Sequence, residues 1–281
     1  MDEVFTGAEA RADKKVSKYQ LSNHHQRLLP NVYLRAGTTP TARHRIRAAW
    51  KWSGEQAIIA GHSAALLHGS KWVDDDRPVE LIYANRHRRP GFIVHSVRIS
   101  DDEITTIDDL KVTSVARTMF DLARWHDQTT AVIAIDALVQ ATKADPADAL
   151  LLAGPCKGRR SIAAARRTLS LVDGGAQSPP ESRLRLFLGS RGFPPVQTQI
   201  PIRSADGGRV LFYLDMGWPE WKIAIEYDGD QHRTNRSQYS YDRHRIKALE
   251  DDGWIIIRVT STDSKATIAR WVNDALAQRR R

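Results

Sequence analysis

Trp221-Lys222-Ile223-Ala224-Ile225-Glu226-Tyr227-Asp228 decides the fold of the second half of the chain. Strand side chains alternate faces. Trp221, Ile223, Ile225 and Tyr227 therefore share one apolar face, and Lys222, Ala224, Glu226 and Asp228 share the other. An earlier segment, Val210-Leu211-Phe212-Tyr213-Leu214-Asp215-Met216, has the same pattern. Val210, Phe212, Leu214 and Met216 lie on one side; Leu211, Tyr213 and Asp215 lie on the other. Each strand offers an apolar face to a helix and carries carboxylates near its end. As antiparallel neighbours the two strands bring Asp215 beside Glu226. Adjacent carboxylates repel unless a cation lies between them, and oxygen ligands of this kind suit Mg2+. Such an ion lowers the pKa of a water and neutralises charge on a phosphodiester under attack. From Glu226 to His232 the chain sets three carboxylates and a histidine at a strand end, where sites are built.

Outward from this pair, Glu181–Arg191 reads as a helix, with Gln197–Ile202 a strand before Val210–Met216. Ala205-Asp206-Gly207-Gly208 is a hairpin turn between those two strands. Ser237–Asp251 reads as a helix, Trp254–Val259 as a strand and Thr262–Ala277 as a last helix. The order is α-β-β-β-α-β-α, an α/β sandwich. Asp173-Gly174-Gly175-Ala176-Gln177-Ser178-Pro179-Pro180 has linker composition and marks a boundary. Before it, Glu9–Asp13 and Ser17–Asn23 read as short helices, with Ser17 an N-cap. His25–Arg35 reads as a hairpin turning at Pro30-Asn31. Two short helices and a hairpin form a winged helix-turn-helix pattern. Thr41–Ser53, His62–His68, Thr113–Arg124 and segments near 129–142, 146–153 and 161–172 read as helices, and Val79–Tyr83 and Phe92–Ile99 as strands. The fold class is α/β with α+β character. The expected domains are a winged helix-turn-helix over 1–60, an α/β and helical region over 61–173, and the sandwich over 174–281.

The charge is uneven. Lys plus Arg is 42 against 33 Asp plus Glu, a net charge of +9 over 281 residues. No acidic residue occurs from Lys14 to Lys51. That stretch still carries enough apolar side chains to fold, so it reads as a basic surface that meets an anion. The candidate DNA contacts are Lys14, Lys15, Lys18, Tyr19, Gln20, Arg27, Arg35, Arg43, Arg45 and Arg47. Gln20, on the proposed recognition helix, is of the type that pairs with adenine in the major groove. The hairpin arginines suit phosphates. Cys156 is the one cysteine, which excludes internal disulfides and cysteine-based zinc clusters. No run approaches the roughly 18 apolar residues of a membrane span. No secretory leader is read at the start, and the expected location is the cytoplasm, at the nucleoid when bound to DNA.

Four motifs in order carry a resemblance: Ser178–Arg185, Leu214-Asp215-Met216-Gly217-Trp218, Ile225–His232, and Asp242, Arg245, Leu249 with Gly253-Trp254. Over about 177–262 they resemble the very-short-patch-repair (Vsr-like) endonuclease branch of the PD-(D/E)XK superfamily. The resemblance implies a restriction-endonuclease-like αβββαβ fold, Mg2+ or Mn2+ as cofactor, and hydrolysis of DNA phosphodiester bonds by nicking or cleavage. It makes Glu181 a third acid beside Asp215 and Glu226. The Ser178-x-x-Glu181 spacing is also a capping box. Where the superfamily has a lysine this chain has Asp228, so His232 or Arg245 is left to supply positive charge, and His232 is of the type that activates water.

Residues 3–125 resemble the AbiEi-type antitoxin and regulator family, through Asn31-Val32-Tyr33-Leu34, His62–Gly69 and Val112–Ala123. That resemblance implies a DNA-binding winged helix. Within the third motif, Arg117 and Asp121 read as a structural i, i+4 pair. The expected whole is a DNA endonuclease that acts on duplex DNA. The alternative is an AbiEi-type regulator or antitoxin with an inactive nuclease fold. A homodimer and a toxin or repair partner are left open.

Overall fold

The computed structural model describes residues 3–12, 17–84, 90–152, 160–204, 207–229, 245 and 247–279. The chain is of mixed α+β class and divides into two compact units, Met1–Gly174 and Gly175–Arg281.

The first unit opens with β1 (Val4–Thr6), α1 (Gly7–Ala12), α2 (Lys18–His24), the hairpin β2 (His25–Leu29) and β3 (Val32–Arg35), and α3 (Ala42–Trp52). The strands form a sheet in the order β1-β3-β2. Alternation along β1 sends Phe5 to one face, against Ala10 of α1 and Leu21 of α2. Val4 goes to the other face, against Ala48 of α3. Ser17 caps α2 and Thr41 caps α3, each through a complete capping box. Asn31 turns the hairpin at φ +61, a left-handed conformation that Asn tolerates.

A second sheet follows, ordered β6-β5-β4-β8-β7. Its strands are β4 (Ile58–Ile59), β5 (Val79–Ile82), β6 (Phe92–His95), β7 (Ile104–Ile107) and β8 (Leu110–Thr113). Helix α4 (Gly61–Leu67) leads onto a helical layer of α5 (Val115–Trp125), α6 (Gln128–Thr142), α7 (Pro146–Leu152) and α8 (Arg160–Leu169). That layer closes around Met119, Leu122, Ile135 and Leu138, all 0% exposed. Arg117 donates to Asp121 at 2.8 Å, the expected i, i+4 pair, and also to Glu103 at 2.9 Å. Strands β1, β4, β7 and β8 are additional to the strands expected from the sequence pattern. Strand β6 ends at His95, short of the expected Ile99.

The second unit comprises α9 (Pro179–Ser190), β9 (Gln197–Arg203), β10 (Val210–Trp218), β11 (Ile223–Tyr227), a helical stretch at 247–251, β12 (Ile255–Val259) and α10 (Lys265–Arg279). The sheet order is β12-β11-β10-β9, with β11 and β12 parallel and the other pairs antiparallel. Helices α9 and α10 cover one face, through Leu184, Leu188, Ile268 and Val272. Leu249 and Trp254 cover the other, against Ile200, Leu214 and Ala224.

Two details depart from simple alternation. Trp221 and Lys222 are not part of β11. Pro219–Trp221 form a 3-10 turn, and Lys222 is left-handed at φ +47. Leu214 and Met216, expected on one face, pack in different cores. The pleat changes between them, at Asp215. Opposite Asp215 in the β9 register stands Gln199, itself at φ +48. Gly217 then lets β10 come close to β11, because a Cβ there would lie 2.1 Å from the Ile223 carbonyl oxygen.

Gly217→Ala should therefore destabilise the chain by about 1–3 kcal/mol through overpacking against backbone that cannot move aside. Gly189→Ala, where a Cβ meets nothing within 4 Å in α9, should change stability by no more than about 1 kcal/mol, in the stabilising direction. Urea unfolding of the two variants measures both.

Candidate functional site

Asp215, Glu226, Glu181 and Arg245 come together in the second unit. Glu226 sits in β11 where the β10–β11 ladder has already ended; the last paired residues are Met216 and Ile225. Past that point the Tyr227 backbone N–H donates to Asp215 Oδ2 at 2.8 Å. A side-chain oxygen takes the place of a backbone acceptor, and this pins the Asp215 carboxylate to β11. Glu226 is 7% exposed and receives Arg245 Nη2 on both oxygens, at 2.7 and 2.9 Å. Arg245 also lies over the Phe212 ring, 5.0 Å from its centroid, a favourable cation–π placement. Arg245 Nε is buried and unpaired among the described residues.

Ser178 caps α9 by accepting from the Glu181 backbone N–H, but the reciprocal arm of the capping box is not formed: the Glu181 oxygens accept from the Gln177 backbone N–H at 2.9 Å and from the Ser178 hydroxyl at 2.7 Å. Glu181 is also buried, close enough to the Asp215 charge to feel its repulsion. Asp228 follows β11 and is half-buried; its backbone N–H donates to the Val259 carbonyl. His232 and Asp242 lie outside the described residues, so Asp242 gives no account of its spacing with Arg245. Of the two residues left to supply positive charge, Arg245 reaches Glu226.

The electrostatics of the three acids agree in direction. Burial pushes the Glu181 carboxyl up from its ordinary value; the Gln177 and Ser178 hydrogen bonds oppose this and Asp215 adds to it. Burial raises Asp215, against the Tyr227 hydrogen bond and the Arg245 charge. Burial raises Glu226, against Arg245 and with Asp215. Among the described residues the positive charges that act on these acids are Arg245 and, on Glu226, Arg258, and they do not balance three desolvated carboxylates. The arrangement holds negative charge at a cost, which a proton or a cation relieves.

The basic residues of the first unit divide into two sets. Lys51 is held by Glu9 at 2.7 Å, Arg43 lies 3.5 Å from Asp108, and Arg47 donates to the Asp108 carbonyl at 2.8 Å. His44 meets Glu3 at 2.7 Å. The acid-free stretch thus takes countercharge from acids before and after it, and α3 is not the unopposed basic surface expected of Arg43 and Arg47. Arg27, Arg35 and Arg45 are exposed, and Tyr19 is 73% exposed on α2. Gln20 is not the free base contact expected of it. Its Oε1 accepts from the Ser17 backbone N–H at 2.8 Å, so that oxygen completes a capping box and is not free for a base edge. Lys14 and Lys15 lie outside the described residues, as does the side chain of Lys18.

No protein-family model matches the chain, and no solved structure matches it. It is similar to two Mycobacterium tuberculosis proteins, "Uncharacterized protein Rv2248" of strain ATCC 25618 / H37Rv and "Uncharacterized protein MT2308" of strain CDC 1551 / Oshkosh. Each is 26% identical over 230 residues, which is 81% of this chain and 83% of the relative. The first unit ends at Gly174, so a match of that length takes in parts of both units.

The raised pKa values of the three acids give a pH signature. Across the window from the ordinary carboxylate range up to the raised values, these three groups hold more protons in the folded chain than in the unfolded one. Stability from these groups is therefore present below the window and lost as pH rises through it. Asp215→Asn keeps an acceptor for the Tyr227 amide and removes a charge. Without added metal, that variant should be more stable than the unsubstituted chain near neutral pH, with the difference shrinking toward about pH 4. Denaturant unfolding across that range is the measurement.

Proposed function

We propose that the chain is a DNA-binding, metal-dependent endonuclease that hydrolyses phosphodiester bonds of duplex DNA. The observation that supports it is the grouping of Asp215, Glu226 and Glu181, three desolvated carboxylates, at the end of β11, with Arg245 paired to Glu226. A set of hard oxygen donors with excess negative charge fits Mg2+ or Mn2+. Asp215 and Glu226 would hold the ion and Glu181 would assist. The ion supplies charge neutralisation for the scissile phosphodiester and makes water a better nucleophile at neutral pH. The residues around it do the positioning. Tyr227 fixes Asp215 through its backbone N–H, and Ser178 with the Gln177 amide fixes Glu181. Arg245, lying over Phe212, takes the place of the superfamily lysine that is Asp228 here; its unpaired Nε is a donor suited to a phosphate oxygen. In the N-terminal region, Arg27, Arg35 and Arg45 contact phosphates and α2 presents Tyr19 to the groove. The protein acts in the cytoplasm, on the nucleoid.

One observation favours the second reading, a regulator or antitoxin of the AbiEi type whose nuclease fold does not turn over. Arg245 occupies both oxygens of Glu226, so a cation competes with a bound guanidinium.

Incubation of the purified chain with supercoiled plasmid separates the two. The nuclease reading expects cleavage or nicking with Mg2+ or Mn2+ and none without. Asp215→Ala should lower the rate by at least about 100-fold, while DNA affinity stays within about two-fold. Intact plasmid at all metal concentrations, with tight binding to a selected site, would establish the regulator.

Binding tests the division of the basic residues. Arg27→Ala should make the dependence of log K on log salt shallower by about one unit and weaken all sequences alike. Lys51→Ala should leave that slope unchanged, because Glu9 already neutralises it. Gln20→Ala should cost helix capping, about 0.5–2 kcal/mol of stability, with little change in the preferred site.

A further inference from the structure

The first unit buries a carboxylate for which DNA binding has no use. Glu80 stands within β5 and is 0% exposed. His62 Nδ1 lies 2.7 Å from its Oε1; His126 Nε2 lies 3.2 Å and His95 Nε2 3.4 Å from its Oε2. The three imidazoles come from the start of α4, the end of β6 and the residue after α5. Separate elements thus converge on one carboxylate from positions 62, 80, 95 and 126.

The surrounding backbone is shaped to allow this. Gly61 has φ +52, and a Cβ there would sit 2.3 Å from Glu80 Oε2. The His62 backbone N–H donates to Oε1 at 3.2 Å, and the Ser63 hydroxyl accepts the Glu80 backbone N–H at 3.0 Å. His95 is stacked flat on Trp125, with ring centroids 3.4 Å apart and planes 7° apart. His62 and His126 meet edge to face at 4.4 Å.

A buried carboxylate needs donors or a cation. Donors alone require no particular geometry among the imidazoles. Here one ligand atom each from His62, Glu80 and His126 lies within 4.8 Å of the other two. Tetrahedral ligands at about 2.1 Å from an ion stand roughly 3.4 Å from one another, so small side-chain shifts bring all three into range. Two imidazoles and a carboxylate are a donor set used for zinc with a fourth position open. Imidazole nitrogen selects for zinc and its neighbours over Mg2+, which sets this cluster apart chemically from the all-oxygen cluster of the second unit. His95 stands where an outer partner of a ligating carboxylate stands, with its ring fixed by Trp125. The cluster is reachable on one side: the His95 and His126 side chains are 17% and 16% exposed, against 5% for His62.

We propose that His62, Glu80 and His126 form a binding site for a zinc-class divalent transition metal, with His95 as the positioning residue for Glu80. The fourth position is open to water or to an anionic ligand. The site is independent of the endonuclease reading, since its residues all belong to the first unit.

The test uses the full chain, stripped with a chelator and titrated with Co2+, whose visible absorption reports tetrahedral nitrogen and oxygen ligation. The proposal expects a band that saturates at one equivalent, is displaced by Zn2+, and accompanies a rise in melting temperature. Glu226→Gln, in the other unit, should leave the band unchanged. His126→Ala should abolish it. His95→Gln should weaken binding by about 10–100-fold without abolishing it, which covers the case in which His126→Ala does not fold. Absence of the band, with no Zn2+-dependent stabilisation, would overturn the proposal and leave a hydrogen-bonded buried cluster. A band that persists in His126→Ala would overturn it as well.

Discussion

The Tyr227 backbone N–H bound to Asp215 Oδ2 is the contact on which the arrangement of the second unit's acids depends. The β10–β11 ladder stops at Met216 and Ile225. Beyond it an amide would be left without a strand partner, and a buried unpaired amide is costly. The carboxylate of Asp215 fills that gap, and so a charge is built into the sheet. Gly217 permits the close approach of the two strands, and the pleat changes at Asp215 so that its side chain turns toward β11 while Leu214 and Met216 fill separate cores. Glu226, one residue before Tyr227, is then necessarily close. Glu181 arrives from the capped start of α9, already tied to Gln177 and Ser178. Three acids are held by groups whose other duty is to hold the fold, which is how the chain tolerates their mutual repulsion.

The first unit solves the opposite charge problem. A stretch without acids from Lys14 to Lys51 would repel itself if it kept its own company. Folding brings Glu3 to His44, Glu9 to Lys51 and Asp108 to Arg43 and Arg47. Those contacts anchor α3 to its surroundings. The arginines on the hairpin, Arg27 and Arg35, and Arg45 on α3 remain exposed. Among the described residues, two of these three exposed arginines lie on the hairpin.

Much of this was legible in the sequence where a pattern is local. The caps at Ser17 and Ser178, the turn at Asn31, and the succession of helices and strands along the second unit all follow from short-range rules of spacing and residue type. What was not legible is non-local or irregular. The hairpin of β7 and β8 turns on Asp108 and Asp109, both with positive φ, and no glycine marks it. Strand β4 has only two residues, too few to show alternation. The change of face between Leu214 and Met216 stands opposite a left-handed Gln199 on the neighbouring strand, which no periodicity within β10 reports. The His62–Glu80–His126 cluster draws on residues spread over 65 positions, 62 to 126 inclusive. Its one sequence signal is a glutamate inside the apolar run Val79-Glu80-Leu81-Ile82. The use of Gln20 as a capping acceptor follows from the Ser17-x-x-Gln20 spacing, a signal that was present and competed with a reading of the same residue as a base contact.

The central claim is that Asp215 and Glu226 form a divalent-cation site restrained by Arg245. Mn2+ binding followed by electron paramagnetic resonance, in the full chain and two variants, addresses it directly. The account predicts a bound ion in the unsubstituted chain, its loss in Asp215→Asn, and tighter binding in Arg245→Ala, where the competing guanidinium is gone. Equal Mn2+ binding in all three chains, or none in any of them, would contradict it.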